Sequence, residues 1–162
     1  MPSVDVAVLV LSGSMGAGKT TVLGEASDLL LAAGVPHAAI DLDALSIGHF
    51  PGDLSMRNLA AVWSNYAAVG MTRLLLADAD PDRARIAQAV PGARIVVCRL
   101  RASIETMQQR VRAREPGMRQ QEFVERVAEL ERAIDGEDFS AGNDGRDITA
   151  VAREVLTRAG WL

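Results

Sequence analysis

The sequence predicts an α/β fold, a parallel sheet covered by helices on both faces. Three observations carry that expectation. Short apolar runs alternate with amphipathic stretches along the chain, the order of strand and crossover helix. The amphipathic stretches are punctuated by Gly, Pro, Ser and Asp, where helices start and stop. The first apolar run ends in a glycine-rich segment that opens a helix. The 162 residues suit one compact domain spanning 1–162, with no internal repeat, low-complexity segment or linker.

The elements follow in order. Residues 6–11 read as a buried first strand. A helix from about Gly18 to Ala33 has Val22, Leu23, Ala26, Leu29 and Leu30 on one face, and Gly34 and Pro36 stop it. Residues 37–42 form a second strand. Residues 43–53 contain Gly48, Pro51 and Gly52 and read as loop, with His49 inside it. In the helix over 55–69, Leu59, Val62, Trp63 and Tyr66 recur at spacings of three and four. Residues 73–77 are a third strand. Asp80-Pro81 opens a short helix as cap and first turn, and Pro91-Gly92 closes it.

Residues 94–100 are a fourth strand. Ser103 caps a helix to about Arg114, which Glu115-Pro116-Gly117 breaks. The next helix, 120–134, turns Phe123, Val127, Leu130 and Ile134 inward. Residues 138–141 form a weak fifth strand, and Asp147 caps a last helix ending at Gly160.

Composition narrows the function classes. Apolar residues make up 49% and charged residues 23% of the chain, as in ordinary globular proteins. No apolar stretch approaches the ~20 residues that span a bilayer. The start lacks a basic region followed by a long apolar one, so a cytoplasmic location is expected. A net charge of −4 argues against broad nucleic-acid binding. The single cysteine, Cys98, lies in an apolar run and reads as a buried thiol.

The basic residues are informative. All are arginine except one, Lys19, and it falls in Gly13-Ser14-Met15-Gly16-Ala17-Gly18-Lys19-Thr20. This segment matches the full phosphate-loop (Walker A) pattern. Glycines let backbone N–H groups turn inward, and the following helix adds its positive end. Lys19 is expected on the outer phosphates of a nucleoside triphosphate, Thr20 on Mg²⁺, and Thr21 at the edge of the site.

Acidic residues stand at strand ends. Asp41 and Asp43 alternate and so point to one side of the second strand, where the strand ends of an open parallel sheet face the ligand crevice. They are candidates to hold Mg²⁺ and to orient an acceptor hydroxyl, with Asp43 as contact or base. Asp78 ends the apolar third strand and is a further metal candidate. Arg110 and Arg114 share a helix face before the Pro-Gly break, as in a lid that covers a transferring phosphoryl group; Arg112 reads as solvated. Arg57 begins the helix where an acceptor would dock. The Asn143-Asp144-Gly145 turn could border a base through Asn143.

These features together resemble the small P-loop kinases grouped around shikimate kinase, gluconate kinase, adenylylsulfate kinase and chloramphenicol phosphotransferase. The resemblance covers nearly the whole chain: the phosphate loop, Asp41-x-Asp43, a helical acceptor region at about 43–69, the arginine-bearing lid at about 110–120, and the Asn143-Asp144-Gly145 turn. Asn58-Leu59-Ala60-Ala61-Val62-Trp63 and Ala159-Gly160-Trp161 are similar to segments of uncharacterised bacterial ATP-binding proteins. The resemblance implies a P-loop NTPase three-layer sandwich with a five-stranded parallel sheet in order 2-3-1-4-5. It implies Mg-ATP as donor and a small-molecule phosphate acceptor, with Asp43 touching the acceptor. Where shikimate kinases place a triple glycine after the third strand, this chain has Ala77-Asp78-Ala79-Asp80.

The reading is therefore a phosphotransferase in which Lys19, Arg110 and Arg114 stabilise the moving phosphoryl group. Arg110 and Asn143 would contact the nucleotide, and Asp41, Asp43 and Arg57 the acceptor. A nucleoside or nucleoside monophosphate kinase is one rival; a regulatory ATP-binding module without transfer is another. Trp63 and Trp161 leave a homodimer open.

Overall fold

The computed structural model of the chain describes residues 5–48 and 53–162. His49, Pro51 and Gly52 of the loop discussed above lie outside the described residues. The strands are β1 (Ala7–Ser12), β2 (Ala38–Asp41), β3 (Arg73–Ala77), β4 (Arg94–Arg101) and β5 (Phe139–Gly142). The helices are α1 (Lys19–Ala32), α2 (Leu54–Ala68), α3 (Arg83–Ala89), α4 (Ile104–Arg114), α5 (Gln120–Ala133) and α6 (Ile148–Arg158). Every strand pairing is parallel, and the order is β2-β3-β1-β4-β5. This is the strand order that the resemblance to the small P-loop kinases implies.

Two cores lie on opposite faces of the sheet. Along β1, Leu9 and Leu11 join Val22, Ala26, Leu30, Val155 and Leu156 beneath α1 and α6. Val8 and Val10 join Leu59, Trp63 and Ile86 beneath α2 and α3. The alternation follows from the two-residue period of a strand. A strand buried on both faces reads as a continuous apolar run, which is why β1 and β3 are legible. Truncating a core leucine such as Leu9 or Leu75 to Ala costs about 2–5 kcal/mol. Cys98 lies in the first core, and burial pushes its thiol up to about 12. Among the described residues no helix is long and apolar enough to cross a membrane.

Four expectations need correction. Asp80 does not cap α3. Its backbone N–H donates to Asp78 Oδ1 at 3.3 Å, and Asp82 is the cap, accepting from the N–H groups of Ala84 and Arg85 at 2.9 and 3.2 Å. The helix starts beyond Pro81 because the Asp82 carboxylate is the one that takes the free N–H groups of the first turn. Second, β2 stops at Asp41, and Leu42–Leu45 forms a 3-10 turn where the sequence suggests strand and loop. Third, the inner stripe of α5 is Val124 and Val127 with Ile134 beyond its end; Phe123 and Leu130 are half-buried. Fourth, Trp63 and Trp161, at which the sequence left a dimer contact open, are packed into the cores of this chain.

Candidate phosphate-binding site

β1 delivers the chain at the carboxyl end of the central strand into the loop at Gly13. The loop is closed from behind. Gly16 has φ +81°, and a Cβ there would fall on the backbone of Met107 in α4. Gly18 has φ +95°, and a Cβ there would occupy the space of the Asn143 side-chain amide. Only glycine accepts these conformations together with such close approach. Gly18 is the cap of α1 and supplies no side-chain bond. The first-turn N–H groups of α1 are thus left to a ligand anion.

Lys19 opens α1, and its ammonium donates to the carbonyls of Gly13 and Ser14 at 2.8 and 3.1 Å. An ammonium has three donors, so one remains for a ligand oxygen. Burial lowers the Lys19 pKa; the charges of Asp43, Asp41 and Asp78 oppose that shift, and Arg114 adds to it. The same ammonium therefore feels residues from four elements. Thr21 is exposed in the first turn, Met15 packs on the core, and Ala17 is fully buried.

The carboxylates gather around this cation. Thr20 Oγ1 donates to Asp41 Oδ2 at 2.6 Å. Asp41 Oδ1 accepts from the Asp43 N–H at 3.2 Å. Asp41 and Asp43 thus meet through a capped turn, not through strand alternation, and Asp43 is exposed. Asp78 follows β3, and its N–H donates to Leu11 O at 3.1 Å. Burial raises its carboxyl to about 6, helped by the charges of Asp43 and Asp80 and opposed by the Asp80 N–H and Lys19.

Among the described residues no group of three or more His, Cys, Asp or Glu side chains could hold a metal by itself. Mg²⁺ needs none: it takes one or two carboxylates, water and substrate phosphate oxygens. The all-oxygen set of Thr20, Asp41 and Asp78 fits that habit.

The lid side is built from α4 and the turn after β5. Arg110 donates from Nη1 to Gly16 O at 3.0 Å and from Nη2 to Asn143 O at 2.7 Å. Asn143 is buried and donates its amide to Ala17 O at 2.7 Å. Both side chains therefore grip the back of the loop. Asp144 accepts from Ser103 N at 3.2 Å and Thr106 Oγ1 at 2.5 Å, and these bonds hold its carboxyl below the usual range. They pin the turn to the start of α4, where Ser103 is the cap. Arg114 is exposed and pairs with Glu115 at 3.2 Å. Arg57 lines a cleft of about 170 Å³ between α2 and α3 with Arg85 and Gln88.

The sequence reading missed Glu131 and Arg99. Glu131, on α5, receives the hydroxyl of Ser14 at 3.2 Å. Arg99, on β4, is buried against Glu131. The available signal was an arginine inside an apolar strand, which demands a partner.

No protein-family model and no curated protein matches the sequence. Solved structures do match. A gluconokinase from Sinorhizobium meliloti 1021 is 20% identical over 93% of this chain and 90% of its own, with a TM-score of 0.59. A shikimate kinase from Acinetobacter baumannii, in complex with shikimate, is 18% identical over 95% and 93%, with a TM-score of 0.57. The Mycobacterium tuberculosis APS kinase, in complex with AMPPNP and APS, is 17% identical over 96% and 98%, with a TM-score of 0.63. The chain has the P-loop fold that these small kinases share. At such identity the likeness establishes the fold, and the chemistry rests on the residues.

Proposed function

We propose that the chain, as one kinase domain, transfers the γ-phosphoryl group of Mg-ATP to a hydroxyl of a small-molecule acceptor. The observation that carries this reading is the convergence on Lys19. Its ammonium bonds to the phosphate loop while the charges of Asp41, Asp43, Asp78 and Arg114 all reach it. A site for phosphate and Mg²⁺ alone has no need of a third, exposed carboxylate, Asp43, whose charge reaches Lys19. A transfer site does, because the acceptor hydroxyl must be oriented and lose its proton.

The roles follow from geometry. The loop N–H groups and Lys19 bind the phosphates and balance their charge. Asp43 orients and deprotonates the acceptor. Thr20, Asp41 and Asp78 would hold a hydrated Mg²⁺, which supplies charge neutralisation on the β- and γ-phosphates. Arg114 is free to swing over the transferred group from the lid near 110–120, since its partner Glu115 is a surface neighbour. Arg110 and Asn143 brace the loop and border the nucleotide. The acceptor sits toward the region near 43–69, with Arg57 as a candidate contact for an anionic substituent.

The test is ATP consumption with Mg²⁺ across sugars, polyols, nucleosides, nucleotides, adenylylsulfate and antibiotics. Turnover that requires one acceptor class, and that Lys19→Ala abolishes, supports the proposal. Tight ATP binding without turnover on every class counts against transfer and favours a nucleotide-binding module.

A further inference from the structure

Ser14 is buried inside the phosphate loop, and its hydroxyl has no route to a ligand. It points away from the site, 3.1 Å from Met107 Sδ and 3.2 Å from Glu131 Oε2. One proton serves one strong acceptor, and a carboxylate outcompetes a thioether. The bond therefore belongs to Glu131, in the last turn of α5 and 117 positions away.

Glu131 is held in turn. Its other carboxylate oxygen lies 2.8 Å from Arg99 Nη2. The Arg99 guanidinium also donates to Ile134 O at 2.5 Å and to Glu131 O. It thus satisfies carbonyls that the end of α5 leaves open. Arg99 sits on β4 opposite Ser12 of β1, two residues before Ser14. Arg101 and Glu137 pair at 2.6 Å at the rim. Such a largely buried ion pair is weak evidence of added stability, because replacing both partners by apolar residues of like volume is often neutral or stabilising.

The geometry points to Glu131 as a positioning residue for the phosphate loop; we propose that it does so by fixing Ser14. The Ser14 carbonyl accepts from Lys19 Nζ at 3.1 Å and from Ala17 N at 3.1 Å. Locking the Ser14 side chain locks the adjoining peptide, and with it the perch of the ammonium. Because α5 packs along α4, which carries Arg110 and Arg114, one carboxylate ties the lid arm to the loop. Arg99 neutralises that carboxylate, so a negative charge can stand behind a site for anions. The inference rests on the nucleotide-binding reading above.

The experiment is a double-mutant cycle on the full chain with Ser14→Ala and Glu131→Gln. Two quantities are read: amide hydrogen exchange of residues 13–18 without nucleotide, and the dissociation constant for MgATP. Ser14→Ala should speed loop exchange and weaken MgATP binding about 3–10-fold, the loss of one hydrogen bond. Glu131→Gln, which keeps one acceptor oxygen for both Ser14 and Arg99, should act the same way to no greater extent. The double variant should be no weaker than the worse single one, because both act through one contact. Ser14→Ala leaves no charge unpaired, so its melting temperature should fall by only a few degrees, about the loss of one hydrogen bond, while its affinity falls as well. A purely structural role would move melting and not affinity. Independent, multiplying effects, unchanged affinity in Ser14→Ala, or tighter binding in Glu131→Gln would overturn the proposal; tighter binding would mean simple charge repulsion. If Glu131→Gln does not fold, Ser14→Ala alone decides through exchange and affinity. Wild-type protein that binds no MgATP refutes the nucleotide reading, whereas the exchange arm judges the Ser14–Glu131 tie by itself.

Discussion

The two sides of the site are held in different ways. The phosphate loop is gripped at three of its residues by distant elements: Ser14 by Glu131, Gly16 by Arg110 and Ala17 by Asn143. The side proposed to meet the acceptor and cover the transferred group is loosely held. Asp43 stands exposed on a short turn, Arg114 is paired only with its sequence neighbour, and Arg57 lies on the surface of α2. Polyphosphates share one geometry, so a site for them can be built in advance and lose little on binding. Acceptors differ, and the residues proposed to meet them come from short exposed segments that a ligand can still arrange.

This contrast can be broken at its stiff end first. Lys19→Ala removes the ammonium from a prebuilt loop and should lower kcat/KM on the order of 10³-fold. Lys19→Arg should rescue little, since a planar guanidinium does not replace a compact ammonium. Steady-state kinetics with MgATP as varied substrate checks both. Asp43→Asn acts on the loose side and should lower kcat about 10²–10⁴-fold with MgATP affinity near wild type. Retained turnover would remove Asp43 as the base.

Asp78 gives a pH test. Its carboxyl sits at about 6 in the folded chain, above the ~3.9 of an unfolded one. The folded state therefore binds more protons between those values, and the ionised carboxyl destabilises it increasingly as pH rises through that window. Asp78→Asn should stabilise the ligand-free protein by about 3 kcal/mol above pH ~7, a gain that vanishes toward pH ~4. Denaturant titrations across that range measure it. As a metal ligand Asp78 must be ionised, so kcat/KM should fall as pH drops below about 6. The smallest effect sharpens the reading of α3: Asp82→Ala should cost about 1 kcal/mol, and Asp80→Ala less than about 0.5 kcal/mol.

Legibility followed the range of the interactions. The loop motif, the β3 bounds and the caps at Ser103 and Asp147 depend on neighbours within a few positions, and the sequence carried them. Asp80 was misread because Asp80-Pro81 and Asp82 both carry the signature of a helix start, and it is Asp82 whose carboxylate takes the first-turn N–H groups. Asp41 and Asp43 were paired for the wrong reason, since a turn and not an extended strand joins them. Glu131 was illegible as a loop partner. On a charged amphipathic helix it looks like its solvated neighbours, and its bond to Ser14 exists only once β4, α5 and the loop have met. Arg99 was the one local warning.

The central claim is that this loop binds Mg-ATP through Lys19. Titration calorimetry of MgATP into wild-type and Lys19→Ala protein tests it most directly. The account predicts saturable, one-to-one, Mg²⁺-dependent binding to the wild type and its loss in the variant. Equal binding by both proteins, or none by the wild type, would contradict it.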